Sequence, residues 1–294
     1  MKLQGKRAVL IAGPTASGKS AMALRLAAEH DGVVINTDSM QVYDVLSVLT
    51  ARPDADDLAQ APHVLYGHVP PAESYSVGQW LQDAAAAIAE AEAAGRLPIV
   101  VGGTGLYFKT LTEGLVELPP VPDEIRSRLR ARAEEEGAPA LHAELSQRDP
   151  EMAARLVPSE PQRIIRALEV LETTGRSLAE WQREPATPIL PRAETMRCVL
   201  SPERPVLHAR IEQRFSLMME AGALDEVKAL LALDLEPTLS AMKAIGVRPL
   251  GAYLAGEIAL DEAIRRSVVE TRRYAKRQMT FFNGQLRDWE RVTS

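Results

Sequence analysis

Residues 7–29 constrain this chain more than any other stretch. Arg7-Ala8-Val9-Leu10-Ile11-Ala12 is a short apolar run. Gly13-Pro14-Thr15-Ala16-Ser17-Gly18-Lys19-Ser20 follows it, and Ala21 to Glu29 is rich in Ala, Leu and Met. The octapeptide fits G-x-x-x-x-G-K-[ST], and its flanks read as a buried strand and a helix. A strand, a glycine turn and a helix N-terminus in that order make an anion site. Backbone N–H groups turn inward and the helix dipole favours negative charge. Lys19 adds a point charge on phosphate oxygens, and the Ser20 hydroxyl can reach a Mg²⁺ ion. A nucleoside triphosphate and a diphosphate ester look alike to such a loop, so the phosphate compound stays open here.

Beyond that loop the pattern is α/β. Gly32-Val33-Val34-Ile35-Asn36 reads as a second strand and runs into Thr37-Asp38-Ser39-Met40-Gln41-Val42-Tyr43. Ligands of an open α/β sheet sit off the carboxyl ends of its strands, which sets Asp38 and Ser39 beside the phosphate loop. From position alone, Asp38 could equally cap a turn or helix. Residues 44–78, with Pro53, Pro62, Pro70 and Pro71, read as irregular, and so long a segment in a compact domain is more often functional than idle. Val77–Ala94 reads as helix and Leu97–Val101 as a third strand, followed by Gly102-Gly103-Thr104-Gly105-Leu106-Tyr107. Those glycines allow close backbone approach, and Thr104 can bond a phosphate or a base. Alone, the run is a weak signal and reads equally as a plain strand-to-helix turn.

Leu118-Pro119-Pro120-Val121-Pro122 and Glu184-Pro185-Ala186-Thr187-Pro188-Ile189-Leu190-Pro191 read as linkers. Everything between them reads as helix, with Gly137 and Gly175 as stops. We therefore expect a P-loop NTPase-like parallel sheet flanked by helices, residues 1–120 with 193–294, interrupted by an all-helical insertion, residues 121–192. Met196–Leu200 returns to strand, Val206–Ala221 and Leu224–Leu233 to helix, and Leu260–Leu286 reads as one long helix.

The sequence narrows the surroundings too. Cys198 is the only cysteine, which rules out an intrachain disulfide and a multi-cysteine zinc site. No apolar run approaches a membrane span. The first strand begins at once, leaving no room for a signal peptide. A monomer in a reducing cytoplasm is the expectation. A net charge of −6 argues against a uniformly basic nucleic-acid binder, but distribution matters more than the sum. Residues 263–287 hold Arg265, Arg266, Arg272, Arg273, Lys276, Arg277 and Arg287 against the single acid Glu270. At roughly 100° per residue these cations share an arc of about 140°. Ile264, Val268, Ala275, Met279 and Phe282 fall opposite. Ordinary solvated faces mix signs; this one reads as a polyanion-binding stripe. Gln162-Arg163-Ile164-Ile165-Arg166 opens another helix with two arginines on one face. That block carries nine arginines against eleven acids between 123 and 176, so salt bridges are the plain alternative there.

A GTPase needs an Asn-Lys-x-Asp motif, which is absent, and an ATPase a strand ending in an acid, where Val101 meets Gly102-Gly103 instead. Asp38 is the one acid at a strand end near the loop. A phosphate cradle, a carboxylate and a polyanion face together suggest group transfer onto a nucleic acid. The segments Gly13–Ser20, Asp38–Tyr43, Gly102–Tyr107, Gln162–Val170 and Arg273–Gln278 resemble, in order and spacing, the bacterial tRNA dimethylallyltransferases. The likeness covers nearly the whole chain. Departures lie at Leu49-Thr50-Ala51-Arg52-Pro53, where the family usually has Gly-Thr-Ala-Lys-Pro, at Pro62–Gly67 around Tyr66, and at Phe282-Asn283.

The resemblance implies transfer of a dimethylallyl group from dimethylallyl diphosphate to N6 of the adenosine 3′-adjacent to the anticodon. It implies that the loop Gly13–Ser20 holds the diphosphate with Mg²⁺, the ion reached by Ser20. Asp38 would take the N6 proton, Thr104 position the reacting groups and Arg214 bind diphosphate. The tRNA anticodon stem-loop would be met by Asp38, Ser39, Met40, Gln41, Thr104, Arg126, Gln162, Arg163, Ile164, Ile165, Arg166, Lys243, Arg248, Arg272, Arg273, Lys276, Arg277 and Gln278. An enzyme prenylating free adenine nucleotides, a P-loop nucleotide kinase and a non-catalytic RNA-binding NTPase are the alternatives. The basic helix disfavours the first, since a small acceptor does not need it.

Overall fold

The computed structural model describes Leu3 and residues 5–293. Chain order gives β1 (Ala8–Ala12), α1 (Lys19–His30), β2 (Gly32–Asn36), α2 (Ala55–Gln60), β3 (His63–Val64), α3 (Val77–Ala93), β4 (Leu97–Gly102) and α4 (Gly105–Glu113). The helices α5 (Asp123–Glu135), α6 (Ala138–Arg148), α7 (Pro150–Ala153), α8 (Pro161–Thr174) and α9 (Leu178–Trp181) follow. The chain then returns with β5 (Thr195–Leu200), α10 (Arg204–Glu220), α11 (Ala223–Leu231), α12 (Val247–Leu254), α13 (Leu260–Gln285) and β6 (Glu290–Val292). No helix among the described residues is long and apolar enough to cross a membrane.

One all-parallel sheet runs β3-β2-β4-β1-β5-β6. Its inner strands are buried along their length, as a sheet covered on both faces requires. Alternation divides β1 between two cores. Ala8, Leu10 and Ala12 join α3, α4 and the end of α13 on one face, and Val9 and Ile11 join α1 on the other. Cys198 lies inside β5, where burial, then the charge of Glu290, pushes its thiol up to about 12. β6 escapes a pattern reading because Glu290 and Arg291 are exposed on a three-residue edge strand.

The register lines up the carboxyl ends that matter. Ala12 pairs with Gly102, and Asn36 with Val101. The chain therefore leaves β1, β2 and β4 side by side, at Gly13, Thr37 and Gly103. Backbone bonds fix these exits: Gly13 N–H to Gly102 O at 3.3 Å, Thr37 N–H to Val101 O at 2.9 Å and Thr104 N–H to Thr37 O at 3.0 Å. At Gly102 a Cβ would stand 2.4 Å from the carbonyl carbon and oxygen of Thr37. Backbone cannot yield as a side chain can. Gly102→Ala should therefore cost more than the 0.5–3 kcal/mol or so typical of substitutions, read as a drop in chemical-denaturation midpoint; a midpoint equal to the parent's would show that the strand ends can part.

The segment 44–78 is less irregular than its prolines imply. It contains α2 and β3, and Val42, Tyr43, Leu46 and Leu49 build a second core with residues of α10–α13. The Glu226 carboxylate of α11 accepts the N–H groups of Ser47, Val48 and Leu49 at 2.5, 2.7 and 2.8 Å, replacing the ladder this turn lacks.

The chain divides into two compact units, Met1–Glu113 with Pro188–Ser294, and Gly114–Thr187. The return to the first unit precedes residue 193 because Ile189 and Leu190 both donate to Leu111 O, at 3.1 and 3.0 Å, and Leu190 is core. The second unit holds α5–α9 around Leu129, Leu141, Leu145, Met152, Ile164 and Leu168.

Candidate active site

The loop between β1 and α1 is shaped for an anion. Gly18 adopts φ 87° and Ala16 φ 62°, both left-handed. Gly18 is the N-cap of α1 without a side-chain cap, and no acid stands in the first turn. The helix thus keeps donors and a positive pole at the loop. Lys19 is half-buried, and its Nζ donates to Pro14 O at 3.3 Å. Arg214 of α10 donates from Nη1 to Thr15 Oγ1 at 3.2 Å. Among the described residues, neither cation makes an ion pair. Burial, then the charge of Arg214, lowers the Lys19 amine to about 8, against an opposing pull from Asp38. Burial likewise lowers Arg214, again opposed by Asp38. Two desolvated cations without a bonded carboxylate are an electrostatic demand for an anionic ligand.

Asp38 sits in the turn after β2. Its Oδ1 accepts Met40 N–H at 2.9 Å, while its own N–H donates to Asn36 Oδ1 at 2.8 Å and its carbonyl accepts from Asn36 Nδ2 at 3.0 Å. The capping role is therefore real, but it occupies one carboxylate oxygen. Asp38 also lines a cavity of about 250 Å³. Its charge, second to burial, raises the phenols of Tyr66, Tyr107 and Tyr274.

The cavity has a mixed lining. Thr15, Asp38, Ser39, Thr50, Arg214, Tyr274 and Arg277 are its polar members; Leu49, Ile211, Phe215, Met218 and Ile245 are its apolar ones. Thr104 braces the turn beside Asp38: its Oγ1 accepts Ser39 N–H at 3.0 Å. Met40 and Lys243 reach the cavity wall as well.

Gln278 corrects a sequence expectation. It is 5% exposed. Its Oε1 accepts Thr15 N–H at 3.0 Å and its Nε2 donates to Gly103 O at 3.0 Å. A Cβ at Gly103 would stand 2.1 Å from that Nε2. Gln278 is thus a buried strut between α13 and the phosphate loop, not an RNA contact. Sequence gives no sign of this, because its partners lie 263 and 175 residues away. Gln41 is another strut: its Nε2 donates to the carbonyls of Thr50 and Ala51 at 2.9 and 2.8 Å.

The basic stripe is narrower than the helical arc implies. Arg265 and Arg266 both bond Glu262, one residue outside the stretch considered, at 2.7 Å. Those two partners hold the Glu262 carboxyl down at about 2. Arg272 is paired with Glu212. Arg273, Lys276, Arg277 and Arg287 remain without ion pairs among the described residues, and the first three line an open groove with Thr280 and Phe281. Arg248 is exposed on α12, and Asn283 on α13.

In the helical unit, Gln162 is exposed and Arg163 and Arg166 pair with Glu160 and Glu169 at 2.6 and 3.3 Å. Arg126 pairs with Asp123 at 3.0 Å. Ile164 is fully buried, and Ile165, half-buried, packs against the same core. Leu49 is cavity wall, and Tyr66 lines a small recess with Ser20, Gln41, Asp57 and His63.

Comparison with known proteins agrees with this geometry. The family model described as IPP transferase matches residues 41–285, and that of isopentenyl transferase residues 6–66. A tRNA dimethylallyltransferase of Agrobacterium fabrum is 55% identical over 286 residues, covering 97% of this chain and 96% of that protein. One from Chelativorans sp. is 55% identical over 289 residues, covering 98% and 99%. The structure of the full-length tRNA isopentenylpyrophosphate transferase from Bacillus halodurans superposes with TM-score 0.70 at 35% identity, over 98% of this chain and 90% of that one. A eukaryotic dimethylallyltransferase acting on tRNA gives TM-score 0.84 at 27% identity, over 98% and 74%. A carboxylate and an anion loop on one cavity, in a chain matched end to end by these relatives, place it in one group: the chain belongs to the IPP transferase family, among the tRNA dimethylallyltransferases.

Proposed function

We propose that this chain transfers a dimethylallyl group from dimethylallyl diphosphate to N6 of the adenosine 3′-adjacent to the tRNA anticodon. The observation that carries the reading is that Asp38, Thr15 and Arg214 line one cavity together with apolar side chains. The N6–C1 bond forms as C1–O breaks, and diphosphate departs with the bonding electrons. The proton lost by N6 goes to the carboxylate of Asp38. Lys19, Arg214 and the N–H groups at the start of α1 meet the charge that develops on the leaving group. Thr104 is a positioning residue, since it fixes Ser39 N–H beside Asp38. The adenine leaves its stack to enter the cavity.

Mg²⁺ fits this loop as a companion of the donor. Ser20 offers one exposed hydroxyl in the first turn of α1, and no group of three His, Cys, Asp or Glu that could hold a metal occurs among the described residues. Ser20 would hold the ion beside the bound diphosphate. When bound, it neutralises charge on the leaving diphosphate. The protein works as a monomer in the cytoplasm.

Incubation with labelled dimethylallyl diphosphate and bulk tRNA tests the reading. Label in N6-prenylated adenosine of tRNA supports it; label only in mononucleotide, or none, overturns it. The RNA face has its own check. Replacing Arg273 and Lys276 by Ala should flatten the slope of log K against log salt by about one unit per contact. Replacing Arg265 and Arg266 should flatten it less, because the one carboxylate they share, Glu262, offsets one of their two charges. A slope equal to the parent's in both double variants would make the whole stripe an ordinary solvated face.

A further inference from the structure

We infer that Gln278 is a positioning residue for the transfer step: its side-chain amide sets the separation between the loop that holds the diphosphate and the turn that carries Asp38. This rests on the proposed function. Leaving group and base are served by the exits of different strands, β1 for the loop and β2 for Asp38, with β4 between them. The ladder stops short of the site, since its last β1–β4 pair is Ala12 with Gly102. The backbone bond beyond that pair, Gly13 N–H to Gly102 O, is long at 3.3 Å.

Past that bond the link is Gln278. Its Oε1 accepts Thr15 N–H and its Nε2 donates to Gly103 O, each at 3.0 Å. Each partner leads on to a reacting group. Thr15 Oγ1 accepts Arg214 Nη1 at 3.2 Å, which ties the amide to a cation that meets the leaving group. On the other side, an ideal Cβ on Gly103 would stand 2.1 Å from Gln278 Nε2 and 3.5 Å from Asp38 Oδ2. Amide and carboxylate thus flank one glycine. The carboxylate oxygen on that side is not the one that accepts Met40 N–H.

An amide is what this place requires. Thr15 offers a donor and Gly103 an acceptor, so one end of the side chain must accept and the other donate. A carboxylate would set an oxygen against Gly103 O, and a hydrocarbon would satisfy neither partner. At 5% exposure Gln278 acts through these partners. Displacement at C1 is sensitive to such placement, because a misplacement of about 1 Å can cost roughly 10²-fold in rate.

The test uses the full chain in two variants. Gln278→Met keeps length and bulk but makes neither bond. Gly103→Ala keeps the amide and pushes it aside, while its methyl meets Asp38 Oδ2 at an ordinary contact distance. Each should lower the single-turnover rate, with tRNA and dimethylallyl diphosphate both saturating, about 30–100-fold. Dissociation constants for tRNA and for unreactive dimethylallyl thiolodiphosphate should stay within about threefold of the parent's. A glutamine that only holds the fold gives the opposite split, with weaker binding and an unchanged saturated rate. Gln278→Met leaves two backbone groups unpaired, so Gly103→Ala keeps the test open if the first fails to fold. A saturated rate within about threefold of the parent's in both variants overturns the inference. A parent that transfers no dimethylallyl group to tRNA is a different result, and overturns the proposed function instead.

Discussion

Asp38→Asn should be at least about 100-fold slower in single-turnover transfer while melting within a few degrees of the parent and binding tRNA and diphosphate nearly normally. The turn around Asp38 needs an acceptor at Oδ1 and the residue's own backbone groups, which meet Met40 and Asn36. Asparagine supplies all of these. It cannot take a proton at neutral pH. Loss of a cap costs about 1 kcal/mol of stability. Loss of a general base costs roughly 10²–10⁴-fold in rate, or about 3–5.5 kcal/mol of barrier. The two roles lie on different atoms of one side chain, so this substitution separates them. Transfer within a few-fold of the parent would mean that the N6 proton goes elsewhere and that Asp38 only shapes the turn.

The phosphate loop and Asp38 were legible because each depends on residues close in sequence: a spaced motif, and a strand with its terminus. The paired strand ends followed from that pattern, since an inner parallel strand must be apolar throughout. Gln278 was not legible as a strut, because its role lies in partners from other elements. The thinning of the basic stripe was missed for a smaller reason. Glu262 sits one turn before the cations, where i, i+3 and i, i+4 pairing should be sought. Ile164 did carry a signal. Ile164, Ala167 and Leu168 recur at helical spacing and mark the buried face of α8. The second core was hidden because 44–49 packs as a turn on distant helices, with no periodicity of its own.

Lys19→Ala should lower kcat/KM for dimethylallyl transfer roughly 10²–10³-fold with the fold intact. The amine's one hydrogen bond, to Pro14 O at 3.3 Å, is long, and removal relieves a desolvated cation. The pH profile separates a charge effect from a packing effect. Burial and Arg214 hold Lys19 at about 8 in the free protein, with Asp38 pulling the other way. A phosphate ester loses its last proton near pH 6 or so, below that window. Burial first and Asp38 second push the phenols of Tyr66 and Tyr274 up and away from it. The anion prefers the charged amine, so donor capture holds below pH 8 and falls as the pH rises through it. In kcat/KM, which reports the free enzyme, this gives a basic limb near pH 8. Lys19→Arg keeps its charge across the range and should lack the limb; Lys19→Ala should lack it at a uniformly low rate. Asp38→Asn removes the pull that supports the Lys19 charge, and in the residual activity the limb should move to lower pH. A limb near pH 8 that survives in Lys19→Arg would belong to another group, and a parent profile flat through pH 9.5 or so would mean that Lys19 does not meet the diphosphate as a cation.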